Sequence, residues 1–357
     1  MVPDNRTYER VWRWGRWSRQ YNLNTLYRLA LMTGVLLALM ITSLGIGKVW
    51  LAPWEVWRAL WSSAPDPGTL EGANMIVRQL RLPRVLLAAL VGGALAVSGL
   101  MLQAMVRNPL ASPDILGISS GASAAAVGYL SFGASLFGPH YLPLAAMAGA
   151  GGAACAVYAL AWQSGVSPLR LVLTGVGVSA LLMATTTFLL VFSPLTTTLS
   201  AYVWLTGSVY GASWQDARAL AGWLVLLLPC LILLARQVQV QQLDDALAQG
   251  IGVRVQAVRL ALLALSVALA GAAIACGGAM AFVGLIAPHI AKRLVPPGFA
   301  AQAIMAFLCG AALVNVADLC ARTLFLPLDL PAGIFVAVLG APFFLYLLMQ
   351  QRQEGNG

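Results

Sequence analysis

The chain is 357 residues long, 60% apolar and only 9% charged, with a mean hydropathy of +0.82 and a formal net charge of +9. A soluble domain carries about 25% charged residues, so this composition excludes one. Charge-free runs at 85–106, 115–169, 171–215, 260–291 and 330–351 are continuously apolar, which also excludes the alternating pattern of a membrane β-barrel and leaves an all-α polytopic membrane protein.

Residues 1–28 form a basic leader. Six arginines face Asp4 and Glu9 for a net of +4, interleaved with Trp12, Trp14 and Trp17. Arg10, Arg13, Arg16 and Arg19 recur every three residues and would share one face of a helix. The segment reads as a juxtamembrane stretch on anionic lipid, with arginines among headgroups and tryptophans at the interface; an RNA or regulatory contact is the alternative. No small-residue cleavage site follows a short apolar core, so the leader is read as mature sequence.

A crossing needs about 20 apolar residues, and the runs divide into about ten helices: 29–47, 84–106, 115–137, 141–163, 169–192, 217–235, 256–275, 279–293, 300–323 and 331–350. Phe137-Gly138-Pro139-His140 breaks the longest run, and Gly277-Gly278 breaks 260–291. Pro53–Trp61 predicts a short helix with proline in its first turn and Trp54, Trp57 and Trp61 on one face at the membrane surface. Ser112-Pro113-Asp114 reads as a helix start, with Asp114 a helix-end residue rather than a proton carrier. The chain thus divides into the leader, one transmembrane domain at 29–350 and a short tail at 351–357.

Orientation follows from Lys and Arg placement. With the leader in the cytoplasm, the inner set is Arg6, Arg10, Arg13, Arg16, Arg19, Arg28, Arg107, Arg170, Arg236, Arg254, Arg259, Lys292, Arg293 and Arg352. The outer set is Lys48, Arg58, Arg78, Arg81, Arg84, Arg218 and Arg322. The imbalance puts both termini inside and accounts for the basic charge without nucleic acid. Cys155, Cys230, Cys276, Cys309 and Cys320 lie in apolar segments without paired spacing and read as small buried hydrophobes. His140 and His289 are too far apart to suggest a metal or a catalytic cluster. No G-x-x-x-x-G-K-[ST] phosphate loop occurs.

Several motifs appear in a fixed order: Arg81-Leu82-Pro83-Arg84, Arg107-Asn108-Pro109-Leu110-Ala111-Ser112-Pro113-Asp114, Leu116-Gly117-Ile118-Ser119-Ser120-Gly121-Ala122 and Leu173-Thr174-Gly175-Val176-Gly177. They continue through Trp204-Leu205-Thr206-Gly207-Ser208, Ala281-Phe282-Val283-Gly284-Leu285-Ile286-Ala287-Pro288-His289, Ala317-Asp318-Leu319-Cys320-Ala321-Arg322, Leu330-Pro331-Ala332-Gly333 and Gly340-Ala341-Pro342-Phe343. Together they resemble the permeases of ATP-binding-cassette importers for ferric siderophores, ferric citrate, haem and vitamin B12, over about 76–349. Gly117 and Gly121, like Gly207 and Gly211, are four apart and predict helix faces cleared for close approach.

The resemblance implies a type II ABC importer permease fold in the bacterial inner membrane. By the same resemblance the chain itself is expected to be no enzyme and to bind no cofactor or metal. A partner ATPase in two copies uses ATP and Mg; a periplasmic binding protein and a second permease subunit, identical or related, complete the complex. The polar loop Leu243, Asp244, Asp245, Ala248 and Gly252 matches the family's ATPase-coupling segment, with Asp244 where the family has glycine; by composition alone it is a solvated connection. Arg81, Arg84 and Arg322 match arginines that meet glutamates of the binding protein. By spacing alone, Asp318 pairs with Arg322 at i,i+4 and Arg84 marks the membrane boundary. Asn108 and Leu110, with Pro168 and Leu169, match the cytoplasmic gate, the second pair departing from the small polar residues of the family. Substrate motifs look most like the ferric-enterobactin and ferric-citrate permeases, with haem and B12 second. An ion-coupled secondary transporter or an intramembrane enzyme would leave the ordered motifs unexplained.

Overall fold

The computed structural model describes residues 9–14, 17–61, 70–163, 165–241 and 245–354. Two strands, β1 (Glu9–Trp14) and β2 (Trp17–Asn22), pair antiparallel with Glu9 opposite Asn22 and Trp14 opposite Trp17. This corrects the helical reading of the leader. Val, Trp and Tyr favour strands, so the helical-face argument for the arginines lapses; Arg16 lies outside the described residues.

The helices follow in order: α1 (Leu23–Gly45), α2 (Pro53–Trp61), α3 (Leu70–Met75), a π-helical stretch Ile76–Arg81 running into α4 (Leu82–Val106), then α5 (Ile118–Gly128). A second π stretch, Tyr129–Gly133, leads to α6 (Ala134–Phe137), a 3-10 turn at Pro139–Tyr141 and α7 (Leu142–Ala161). Next come α8 (Pro168–Val191), α9 (Leu195–Leu205), α10 (Trp214–Gln241), α11 (Asp245–Gly250) and α12 (Val255–Gly277). The last are α13 (Val283–Leu294), α14 (Phe299–Thr323) and α15 (Ala332–Glu354). Asn22 caps α1 by accepting from the Asn24 N–H at 2.9 Å, and Glu55 holds the start of α2 by accepting from Ala52. Trp54, Trp57 and Trp61 are exposed along α2, as their spacing predicts.

Among the described residues, eight helices are long and apolar enough to cross a membrane. The two further segments read as spans are a helix broken by its π stretch (118–137) and the 12-residue α13, which rises only about 18 Å. Helix α4 is the centre of the bundle. It is apolar all round and 89% of its membrane-length window is buried, against 22% for α1 and α8; a helix hydrophobic on every face belongs inside. Around it stand α10, α12, α13 and α14.

Close packing here depends on missing side chains. A Cβ at Gly99 would stand 1.8 Å from the Gly284 carbonyl oxygen, and one at Gly92 would stand 2.1 Å from that of Gly310. Gly121 packs on Gly149 of α7 in the same way, as the glycine spacing suggested, but Gly117, Gly207 and Gly211 lie off the helices with positive φ. Their spacing of four marks turns and not a helix face. Asp114 likewise sits in a turn before α5, accepting from Ser119 Oγ at 2.5 Å, rather than in a first helical turn. Cys309 is buried, but Cys155 and Cys230 are exposed on the bundle's apolar surface, a correction to their reading as core residues.

Gly92→Ala and Gly99→Ala are expected to destabilise by about 3 kcal/mol or more through backbone overpacking. Gly34→Ala and Gly222→Ala, with nothing within 4 Å, are expected to be neutral. Thermal unfolding in detergent checks the contrast; equal midpoints for all four would refute it.

Candidate functional site

The polar residues gather at the two ends of the bundle. At the end opposite the leader, α1 stops at Gly45, and its last carbonyls lack partners within the helix, as in every helix. Two arginines take them. Arg81 donates through Nη1 to Leu44 O at 2.7 Å and Gly45 O at 3.0 Å, and through Nη2 to Val49 O. Arg322 donates to Ile46 O at 2.7 Å and to both the carbonyl and, at 2.5 Å, the hydroxyl oxygen of Ser43. Cations at a helix C-terminus also suit its dipole. Gly47 makes room, since a Cβ there would stand 2.8 Å from Arg81 Nη2.

Arg84 is one turn into α4 and meets two carboxylates. Its Nε donates to Asp318 at 2.9 Å, while Nη1 and Nη2 donate to the two oxygens of Asp329 at 3.2 and 2.8 Å, a bidentate geometry that arginine's fork favours. Tyr210 lies over the guanidinium at 5.6 Å. Asp318, 2% exposed, also faces Arg322 at 3.6 Å, the i,i+4 pair read from spacing. Arg81, Arg84 and Arg322 therefore converge, lining one cavity of about 440 Å³ with Lys48, Tyr210 and Asp329. Their guanidinium groups are engaged internally: Arg81 and Arg322 are buried and Arg84 is 12% exposed. Asp329 and Tyr210 were not singled out by sequence; no spacing links them to Arg84, which meets them only through the fold.

The leader-side end holds a second cluster. Asp245 opens α11 and forms ion pairs with Arg107 and, at 3.2 Å, with Arg259. Burial alone would push the Asp245 carboxyl up, but the Arg107 hydrogen bond and the Arg259 charge outweigh it and hold it below the usual carboxylate range. A carboxyl depressed in this way contributes stability that is present above about pH 4 and is lost as pH falls through the folded value. The pairing is therefore intact throughout the neutral range.

Arg107 ends α4 in the left-handed conformation, φ 55°. Asn108 follows, its Oδ1 accepting from the Leu110 N–H at 2.9 Å. Pro168 begins α8 behind the capping Ser167, and Leu169 is 69% exposed. Of the loop expected to couple to the ATPase, Leu243 and Asp244 lie outside the described residues. Ala248 is fully buried and Gly252 takes φ 86° in open space. Leu247 and Ile251, four apart and both exposed, are the side chains this loop presents outward, and the motif match did not single them out. Arg259 was counted only as a positive charge, although a cation inside a membrane-length helix is itself a flag.

The ion pairs of Arg84 and Arg322 lie at one end of the bundle and those of Arg107 and Arg259 at the other. Asp318→Ala leaves two buried arginines without their shared carboxylate and is expected to destabilise by about 3–5 kcal/mol. Asp329→Asn, at a more exposed position where Arg84 keeps Asp318, is expected to lower the midpoint of thermal unfolding much less; equal losses would contradict this partition.

Residues 35–350 match the model of the FecCD transport family. The chain is 78% identical over 342 residues, 96% of its length and 97% of the relative's, to the achromobactin transport system permease protein of Dickeya dadantii strain 3937. It is 39% identical over 88% of its length, and 93% of the relative's, to the ferric enterobactin transport system permease protein of Escherichia coli K12. A solved structure described as a metal-chelate type ABC transporter, inward-facing, superposes with a TM-score of 0.80 at 29% identity, covering 91% of this chain and 99% of that one. The chain belongs to the FecCD transport family.

Proposed function

We propose that this chain is the membrane-spanning permease subunit of an ATP-driven importer that carries a ferric siderophore from periplasm to cytoplasm. The observation that carries the reading is the family match over 35–350 together with 78% identity to an achromobactin permease. Achromobactin is accordingly the first chelate to test. Enterobactin and citrate, named for relatives 39% and 36% identical, follow, and haem and vitamin B12 come after them.

The leader-side end faces the cytoplasm in this reading, so both termini are inside, and the eight long helices with 118–137 and α13 make up the membrane domain. Irregular backbone such as 278–282 is tolerated at membrane depth where protein buries it. The loop at 243–252 meets one of two ATPase subunits, inserting Leu247 and Ile251; ATP and Mg act there and not on this chain. A second permease completes the pathway, with Asn108, Leu110, Pro168 and Leu169 near its inner mouth. At the other end the binding protein docks over the cavity lined by Arg81, Arg84 and Arg322. Since those groups are held internally, exposed Lys48 at the rim is the first charge an acidic partner meets.

Uptake of radioactive iron into proteoliposomes holding the assembled complex tests the function. ATP-dependent accumulation of one chelate delivered by its binding protein is expected; ATP hydrolysis without accumulation of any would overturn the iron assignment. Leu247→Asp with Ile251→Asp is expected to abolish co-purification of the ATPase while leaving the permease folded. Lys48→Glu is expected to slow binding-protein association by about tenfold at low salt, an effect that fades as salt screens it. Retained ATPase and unchanged association would contradict these two contact surfaces.

A further inference from the structure

The Asp245 carboxylate does not face away from the bundle, although it opens the loop assigned to the ATPase. It is shared by two arginines with different errands. Arg107 belongs to the turn that leads directly into Asn108 and Leu110. Arg259, 1% exposed within α12, donates from Nη2 to both Asp245 oxygens at 3.2 Å and from Nη1 to the carbonyl of Val166. Gln256, on the same helix, accepts from the Val166 N–H at 3.1 Å. The Val166 backbone is thus gripped on both sides, one residue before the Ser167 cap and two before Pro168.

We infer that Arg259, with Arg107, is a positioning residue of the transport cycle: through the single Asp245 carboxylate it ties the ATPase-facing helix α11 to the segments carrying Asn108–Leu110 and Pro168–Leu169, so that both move with α11. The inference rests on the importer reading above. The chemistry of arginine carries it. A planar guanidinium bridges a carboxylate on one nitrogen and a carbonyl on another at fixed mutual angle, which makes a directional link; a lysine ammonium on a flexible stem makes a point contact without that geometry. Burial of Arg259 and of Val166 keeps water from replacing the carbonyl contact. Among the described residues Asp245 is the only carboxylate paired with Arg259, so a displacement of α11 has one route to Val166 by charge.

The test compares uptake per ATP hydrolysed in proteoliposomes holding the whole complex. Arg259→Gln and Arg259→Lys are expected to keep subunit stoichiometry and ATP hydrolysis but to lower that ratio about tenfold, within the usual range of coupling between sites. Asp245→Asn is expected to lower it as far, and the double variant no further, because both act through one link. A merely structural role would lower assembly and hydrolysis together. A wild-type ratio in Arg259→Gln, or losses that multiply in the double variant, would overturn the inference. Should Arg259→Gln fail to assemble, Arg107→Gln paired with Asp245→Asn gives the same cycle at a half-exposed position.

A second readout needs no substrate and separates this inference from the importer reading. With the five cysteines replaced by alanine, spin labels at Gln249→Cys and Leu173→Cys report the α11-to-α8 distance. A narrow distribution is expected, broadening in Arg259→Gln; an unchanged distribution would sink the tether even if transport were established. Failure of the wild-type complex to import any chelate, with the labels behaving as described, would instead count against the importer reading alone.

Discussion

The burial of α4 is the constraint on which the rest of the molecule depends. A membrane-length helix that is apolar on every face can be placed only where other helices surround it, and glycines at positions 92, 99, 284 and 310 let backbones approach to contact distance. Lipid offers no hydrophobic drive for helices to associate, so packing of this closeness and satisfied polar groups must supply the cohesion. The two clusters of charge stand at the two ends of this one helix. Arg81 and Arg84 begin it and Arg107 ends it.

Each cluster solves a problem of unpaired backbone and unpaired charge at once. At the end opposite the leader, carbonyls left over by α1 receive two guanidinium groups, and Asp318 and Asp329 meet positive charge there. At the leader-side end, Asp245 neutralises a buried arginine whose other nitrogen satisfies Val166. Breaking either arrangement strands a charge in a poorly solvated place, which is far worse than never having placed one there. In the importer reading this accounts for arginines that run against the positive-inside tendency: Arg81, Arg84 and Arg322 hold their end of the bundle together, whatever they also do for a partner. The importer reading then gives the two ends different duties, recognition outside and coupling inside, with α4 as the strut between them.

The helical membrane class was legible because apolar runs of that length have no other solution in lipid. The short helix at Pro53–Trp61 was legible from one proline and three tryptophans, and the Asp318–Arg322 pair from spacing. Ordered motifs carried the family. What escaped the sequence depends on contacts between distant segments: Asp329 reaching Arg84, Arg259 reaching Val166, and Gly99 meeting Gly284. Local period misled twice. Arginines spaced by three suggested a helix where strands formed, and glycines spaced by four suggested a packing face where the chain turns. Leu247 and Ile251 escaped because a motif match directs attention to shared polar residues, not to the apolar pair the loop exposes.

The most direct measurement of this account is hydrogen–deuterium exchange on the assembled complex in lipid, with and without trapped nucleotide. The account predicts that amides of α4 stay protected in both states, as the frame of the bundle, and that nucleotide alters exchange at 107–117, 163–167 and 245–254 together. Exchange that changes within α4 itself, or a response at 245–254 that leaves the other two segments untouched, would contradict it.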